Sequence, residues 1–95
     1  MPNLRPVAKY RRHQRVRFEH GGTTWNGVII QVYTRFEHNY NKEIRLYVIA
    51  YEKGGQSTLQ HVYERDVLKR YAYLNKNERL THPNSYVRSL ASLAR

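Results

Sequence analysis

Two glycine pairs, Gly21-Gly22 and Gly54-Gly55, divide the middle of this chain into short segments and limit what it can become. Glycine takes positive φ without a Cβ clash, so a glycine pair between two strand-like runs reads as a tight hairpin turn. The flanking runs have strand character. Arg15-Val16-Arg17-Phe18-Glu19 alternates charged and apolar residues, the period of a strand with one buried face. A strand over residues 23–33 follows, with Trp25, Val28, Ile30 and Val32 expected on one face and Ile29, Gln31 and Tyr33 on the other. That arrangement needs an irregularity, and Gly27 marks the expected bulge or bend.

Residues 35–42, polar and rich in Asn, read as a loop. The next strand covers 43–51, with Leu46, Val48 and Ala50 expected toward the core and Arg45, Tyr47, Ile49 and Tyr51 on the opposite face. Gly54-Gly55 turns it into a strand over 56–62, and Glu64-Arg65-Asp66 reads as one helical turn before a last short strand over 68–71. Five short strands at close spacing without intervening helices make the fold mainly β: a small five-stranded antiparallel barrel, closed to remove exposed edges. Residues 72–82 show no clear period. Beyond them Asn84 or Ser85 can cap a short helix running to Arg95, with Val87, Leu90, Ala91 and Ala94 on one side. The expected organisation is a basic arm over 1–13, a barrel over 14–71 and an extension with a short helix over 72–95.

Charge is distributed unevenly over the 95 residues, whose net charge is +10. Residues 1–17 carry six bases and no acid, residues 18–75 seven bases and six acids, and residues 76–95 four bases and one acid. Twelve of the 17 bases are Arg, whose planar fork suits bidentate phosphate contacts. Such a small chain leaves little room for the deep pocket of a large enzyme, and its apolar runs are too short for a membrane-crossing helix. The absence of cysteine removes disulfides and thiolate chemistry. The expected setting is cytoplasmic or nucleoid-associated, with no leader segment and no membrane partner.

The run of motifs resembles an SH3-like barrel of the KOW/Tudor type. Arg15-Val16-Arg17-Phe18, Trp25-Asn26-Gly27-Val28-Ile29-Ile30, Tyr47-Val48-Ile49-Ala50-Tyr51 and Val62-Tyr63-Glu64-Arg65-Asp66-Val67-Leu68 carry the resemblance, over about residues 14–71. A second similarity is to the plasmid-encoded type II dihydrofolate reductases, through Arg15-Val16-Arg17 and the run from Trp25-Asn26-Gly27 to Tyr33. That family's Val-Gln-Ile-Tyr pore motif corresponds here to Leu59-Gln60-His61-Val62-Tyr63, one residue longer, and Phe18-Glu19 stands where the family has lysine after Arg-Val-Arg. A one-residue slip in a strand turns its side chains to the other face, so reductase chemistry is a remote alternative.

No other catalytic pattern is present. His13, His20, His38, His61 and His82 lack metal-ligand spacing, and the acids of the middle segment sit near bases in sequence. The expectation is no enzyme, no metal and no cofactor. Aromatic residues make up 13% of the chain and nine of them are Tyr, which with Arg can form a nucleic-acid platform. The expected function is sequence-tolerant binding of nucleic acid, DNA or RNA with duplex DNA slightly favoured. Lys9, Arg11, Arg12, Arg15 and Arg17 are expected on phosphates, with Arg45, Tyr47 and Tyr51 as a second platform. A Trp25/Tyr33/Tyr47 cage for methylated lysine is a further reading. The rival from another class is a small regulatory module that docks on a polymerase, the ribosome or another acidic protein.

Overall fold

The computed structural model describes residues 8–93, with side chains through residue 89. Five strands follow one another: β1 (Gln14–His20), β2 (Thr23–Glu37), β3 (Lys42–Lys53), β4 (Gln56–Tyr63) and β5 (Val67–Tyr73). A 3₁₀ turn, Glu64–Asp66, joins β4 to β5, and two helices follow, α1 (Lys76–Leu80) and α2 (Ser85–Leu93). The strands form one antiparallel sheet in the order β4-β3-β2-β1-β5. The outer strands β4 and β5 do not pair, so the sheet is open; its order is compatible with an SH3-like barrel.

Both glycine pairs do what their chemistry allows. Gly21 and Gly22 have φ of 63° and 78°, Gly54 and Gly55 have 60° and 77°, and each pair links the last residue of one strand to the first of the next. Positive φ at both central residues matches the right-handed twist of the flanking strands. Gly27 has a different role. A Cβ there would lie 2.5 Å from Ile49 Cγ2 and 2.7 Å from the Ala50 carbonyl oxygen. The irregularity in β2 falls instead at Ile30, between the Ile29–Ile49 and Gln31–Val48 pairs. Unbroken alternation across Gly27 puts Trp25 and Ile29 on one face, and the bulge at Ile30 brings Val32 to that same cluster, while Val28 and Ile30 join the other, which corrects the expected facing.

The 35–42 segment is also corrected. Its outer residues extend the β2–β3 ladder to a Glu37–Lys42 pair, and only His38–Asn41 turn, with Asn41 at φ 50°. The ribbon projects past the core, so its polarity records exposure rather than loss of strand.

Burial occurs on both faces of β3, at all six positions from Leu46 to Tyr51. The main core sits on the face of Tyr47, Ile49 and Tyr51, with Val16, Phe18, Ile29, Val62 and Val67. The other face carries a smaller cluster of Val28, Ala50, Leu74 and Val87, where the C-terminal extension docks. The face expected to be core is thus the one covered by the extension.

The segment read as aperiodic contains a helix. Asn75 accepts from the Glu78 backbone N–H at 2.8 Å while the Glu78 carboxylate accepts from the Asn75 N–H at 2.8 Å, a reciprocal cap that starts α1. Asn84 caps α2: its Oδ1 accepts from the N–H groups of Tyr86 and Val87. Its Nδ2 donates to the Tyr51 carbonyl (3.0 Å) and to Glu52 Oε2 (2.7 Å), which ties the extension to β3. Of the expected α2 face, Val87 is buried at this junction, and the side chains of Leu90, Ala91 and Ala94 lie outside the described residues. No helix of the described residues is long and apolar enough to cross a membrane.

Candidate nucleic-acid interface

The described part of the arm packs against the end of the sheet. Tyr10 meets Tyr47 edge-on, with ring centroids 5.5 Å apart, and its hydroxyl donates to the Val67 carbonyl. The Lys9 N–H donates to Glu64, and Arg70 donates to the Lys9 carbonyl. Arg11 closes a turn with Gln14, donating through its N–H to Gln14 Oε1 and accepting the Gln14 N–H at its carbonyl. Residues 9–13 of the expected basic arm are therefore docked on the sheet, because Tyr10 covers core that a thin sheet leaves open. Lys9, Arg11 and Arg12 remain exposed at the surface of this fold.

Strand alternation sets the next two charges. Val16 and Phe18 are fully buried, so Arg15 and Arg17 stand on the outer face of β1. Arg17 faces Asn26 on β2 and Lys69 on β5 in register. Paired residues of an antiparallel ladder share a face, so two cations stand side by side there, an arrangement that costs stability. Arg17 donates to Thr24 Oγ1, Arg15 donates through Nε to the Ala72 carbonyl, and the Lys69 ammonium lies 5.4 Å from the centre of the Tyr71 ring. Arg15, Arg17, Lys69 and exposed Tyr71 thus form a basic stripe with an aromatic ring at its edge.

The expected second platform does not form. Tyr47 is 0% and Tyr51 3% exposed, both inside the main core. Tyr47 donates to Glu64 Oε2 and accepts the Tyr10 N–H, and burial together with the Glu64 bond pushes its hydroxyl pKa well above the usual tyrosine range. Arg45 is half-buried beside Glu64, 4.0 Å from its carboxylate. Tyrosine tolerates such a core when its hydroxyl finds a partner, and the carboxylate on the 3₁₀ turn supplies one. Nor do Trp25, Tyr33 and Tyr47 form a cage: Tyr33 pairs with Leu46 and so takes the face opposite Tyr47.

Lys69 and Tyr71 were legible as members of the expected last strand over 68–71, but only the register with β1 reveals that they join Arg15 and Arg17. A second exposed cluster sits on the outer face of β2 and β4. Tyr33 hydrogen-bonds His61 Nδ1 at 2.8 Å, Arg35 donates to the Tyr63 hydroxyl, and the Arg65 guanidinium lies 4.7 Å from the Tyr63 ring centre. The Arg35 charge is matched by Glu37 at 2.7 Å, so this cluster offers less free positive charge than the β1–β5 stripe.

Between the outer face of β1–β2 and the extension lies an open cleft of about 580 Å³, reached by Arg15, Asn26, Tyr71 and His82. Burial and Arg88 depress the pKa of His82 below its ordinary value, against the opposing pull of Glu52 and Glu78. His13 is depressed as well, by burial first and then by Arg79 and Arg12. No group of three or more His, Cys, Asp or Glu residues is placed to hold a metal ion among the described residues. Comparison with protein-family models, with curated proteins and with solved structures finds no match for this chain.

Proposed function

We propose that this protein is a non-enzymatic nucleic-acid-binding module that holds the phosphate backbone with little regard for sequence. The observation that carries the reading is the Arg17–Lys69 pair. Like charges directly opposed across a ladder destabilise it, and a bridging phosphate relieves the repulsion while gaining two charge-assisted contacts. Arg15 extends the stripe on the same face, and exposed Arg11 and Arg12 stand beyond the start of β1. Tyr71 adds a π-face on which a base can stack. The strand order and the 3₁₀ turn before the last strand support grouping the sheet with SH3-like barrels of the KOW/Tudor type.

Fluorescence anisotropy with a labelled duplex, repeated across salt concentrations, tests the reading. Each phosphate neutralised contributes about 0.9 to the slope of log K against log salt on duplex DNA. Replacing both Arg17 and Lys69 by Ala is expected to weaken binding to all sequences alike and to flatten the slope by about two. Arg35→Ala, on the same face but at the distant end of the β2–β3 ribbon and already matched by Glu37, serves as the control. Salt-independent binding, or a double variant indistinguishable from wild type, overturns the proposal.

A further inference from the structure

Resting on the phosphate-binding reading, we infer that the cleft beside the basic stripe takes one unstacked nucleobase, so that the preferred ligand is single-stranded nucleic acid rather than duplex. At about 580 Å³ the cleft has the volume of a small-ligand site, and the ladder register gives its layout. Arg15 pairs with Val28 and Val28 with Ala50; one step along, Arg17 pairs with Asn26. The floor is thus Val28 and Ala50 with Asn26 beside them. Tyr71 lies toward the β5 side, and His82 and Asn84 come from the extension.

Several of these groups have unused hydrogen-bonding capacity. The Asn26 amide and the Tyr71 hydroxyl have no hydrogen-bond partner among the described residues, and Arg15 commits only its Nε there. His82 Nδ1 accepts the Asn84 N–H at 3.0 Å, so the neutral ring carries its proton on Nε2, a donor with no partner among the described residues. An amide that both donates and accepts, beside a fixed N–H donor, suits the polar edge of a base, and Tyr71 supplies a ring for stacking. Glu52 orients the ligand. Its Oε2 already accepts from Asn84 and Ser57, and its charge keeps phosphate away from the β3 side while welcoming a base amine. Arg15 and Glu52 sit on strands separated by β2 and two residues out of register, so two strand spacings and two residue rises put their backbones about 12 Å apart. That span suits a nucleotide with its phosphate at Arg15 and its base toward Glu52. A base paired and stacked in a duplex offers such a cleft neither its Watson–Crick edge nor its face.

Anisotropy titrations of the full chain decide the matter, using single strands of equal length: oligo(dA), oligo(rA), and an abasic strand with the same number of phosphates. Wild type is expected to bind the base-bearing strands at least about fivefold more tightly than the abasic strand. Asn26→Trp, which fills the cleft without changing charge, is expected to remove that preference; Tyr71→Ala, at an exposed site, is expected to do the same and covers a failure of the first variant to fold. A ratio of oligo(dA) to oligo(rA) away from one assigns the sugar. Equal binding of abasic and base-bearing strands by wild type, with the Arg17/Lys69 double variant still weakening both, overturns the cleft inference and leaves the phosphate reading standing. Absence of binding to every strand at low salt overturns both.

Discussion

Asn84 holds the C-terminal extension to the sheet, and two substitutions there separate its roles. The side chain is 1% exposed and its amide is used at both ends: Oδ1 caps α2, while Nδ2 donates to the Tyr51 carbonyl and to Glu52. Asn84→Ala removes a helix cap worth about 1 kcal/mol and leaves a buried acceptor without its donor, about 1–3 kcal/mol more, for a loss of about 2–4 kcal/mol. Asn84→Asp keeps the capping oxygen, so helix propensity alone ranks it above Ala. The tertiary contacts reverse that order. The introduced carboxylate faces a carbonyl oxygen 3.0 Å away and the Glu52 oxygen 2.7 Å away, and an unpaired buried charge costs about 3–5 kcal/mol. Thermal unfolding at neutral pH, where about 1 kcal/mol moves the midpoint of a chain this size by about 4–8 °C, is expected to rank wild type above Ala and Ala above Asp. Burial and Glu52 raise the pKa of the introduced carboxyl in the folded state above its unfolded value. The deficit of the Asp variant is therefore largest above that raised value and shrinks as pH falls through it. An Asp variant at least as stable as the Ala variant at neutral pH refutes the assignment of the amide as a donor to β3.

Two further expectations follow from the core and the histidines. Gly27→Ala is expected to destabilise by about 1–3 kcal/mol in denaturant unfolding, because the new methyl meets the Ala50 carbonyl oxygen, a backbone atom that cannot rotate aside; an unchanged midpoint refutes the close approach. His13 and His82 both have folded pKa values below the ordinary 6.5, so the unfolded chain binds protons first. Their contribution to stability is full above about pH 6.5, is lost as pH falls from there through the depressed folded values, and levels off below them. Urea midpoints that rise on acidification through this window contradict the sign.

The described fold was readable in the sequence wherever local chemistry decides it. Gly-Gly pairs force their turns, Val16 and Phe18 between arginines force an alternating strand, and Glu64-Arg65-Asp66 turns before β5. The Asn75–Glu78 cap was also present in the letters, as a polar residue three before a glutamate, although residues 72–82 lack a hydrophobic period. Part of the candidate site was readable for the same reason: alternation alone puts Arg15 and Arg17 on one exposed face.

Three matters lay beyond local chemistry. Alternation along β3 separates two faces but does not say which is the interior, since six successive apolar residues are buried on both; the choice was settled by the bulge at Ile30 and by the docking of α2. The burial of Tyr47 depends on Glu64 and Tyr10, 17 and 37 residues away, which give its hydroxyl partners. The pairing of Arg17 with Lys69 depends on register between strands that are neighbours only after folding. The sequence by itself determined the turns, the strands and the charged face of β1, because each follows from backbone freedom or a period of two. Only the tertiary structure decided the interior, the tyrosines left for a ligand and the cation opposite Arg17, because those depend on contacts between residues far apart in the chain.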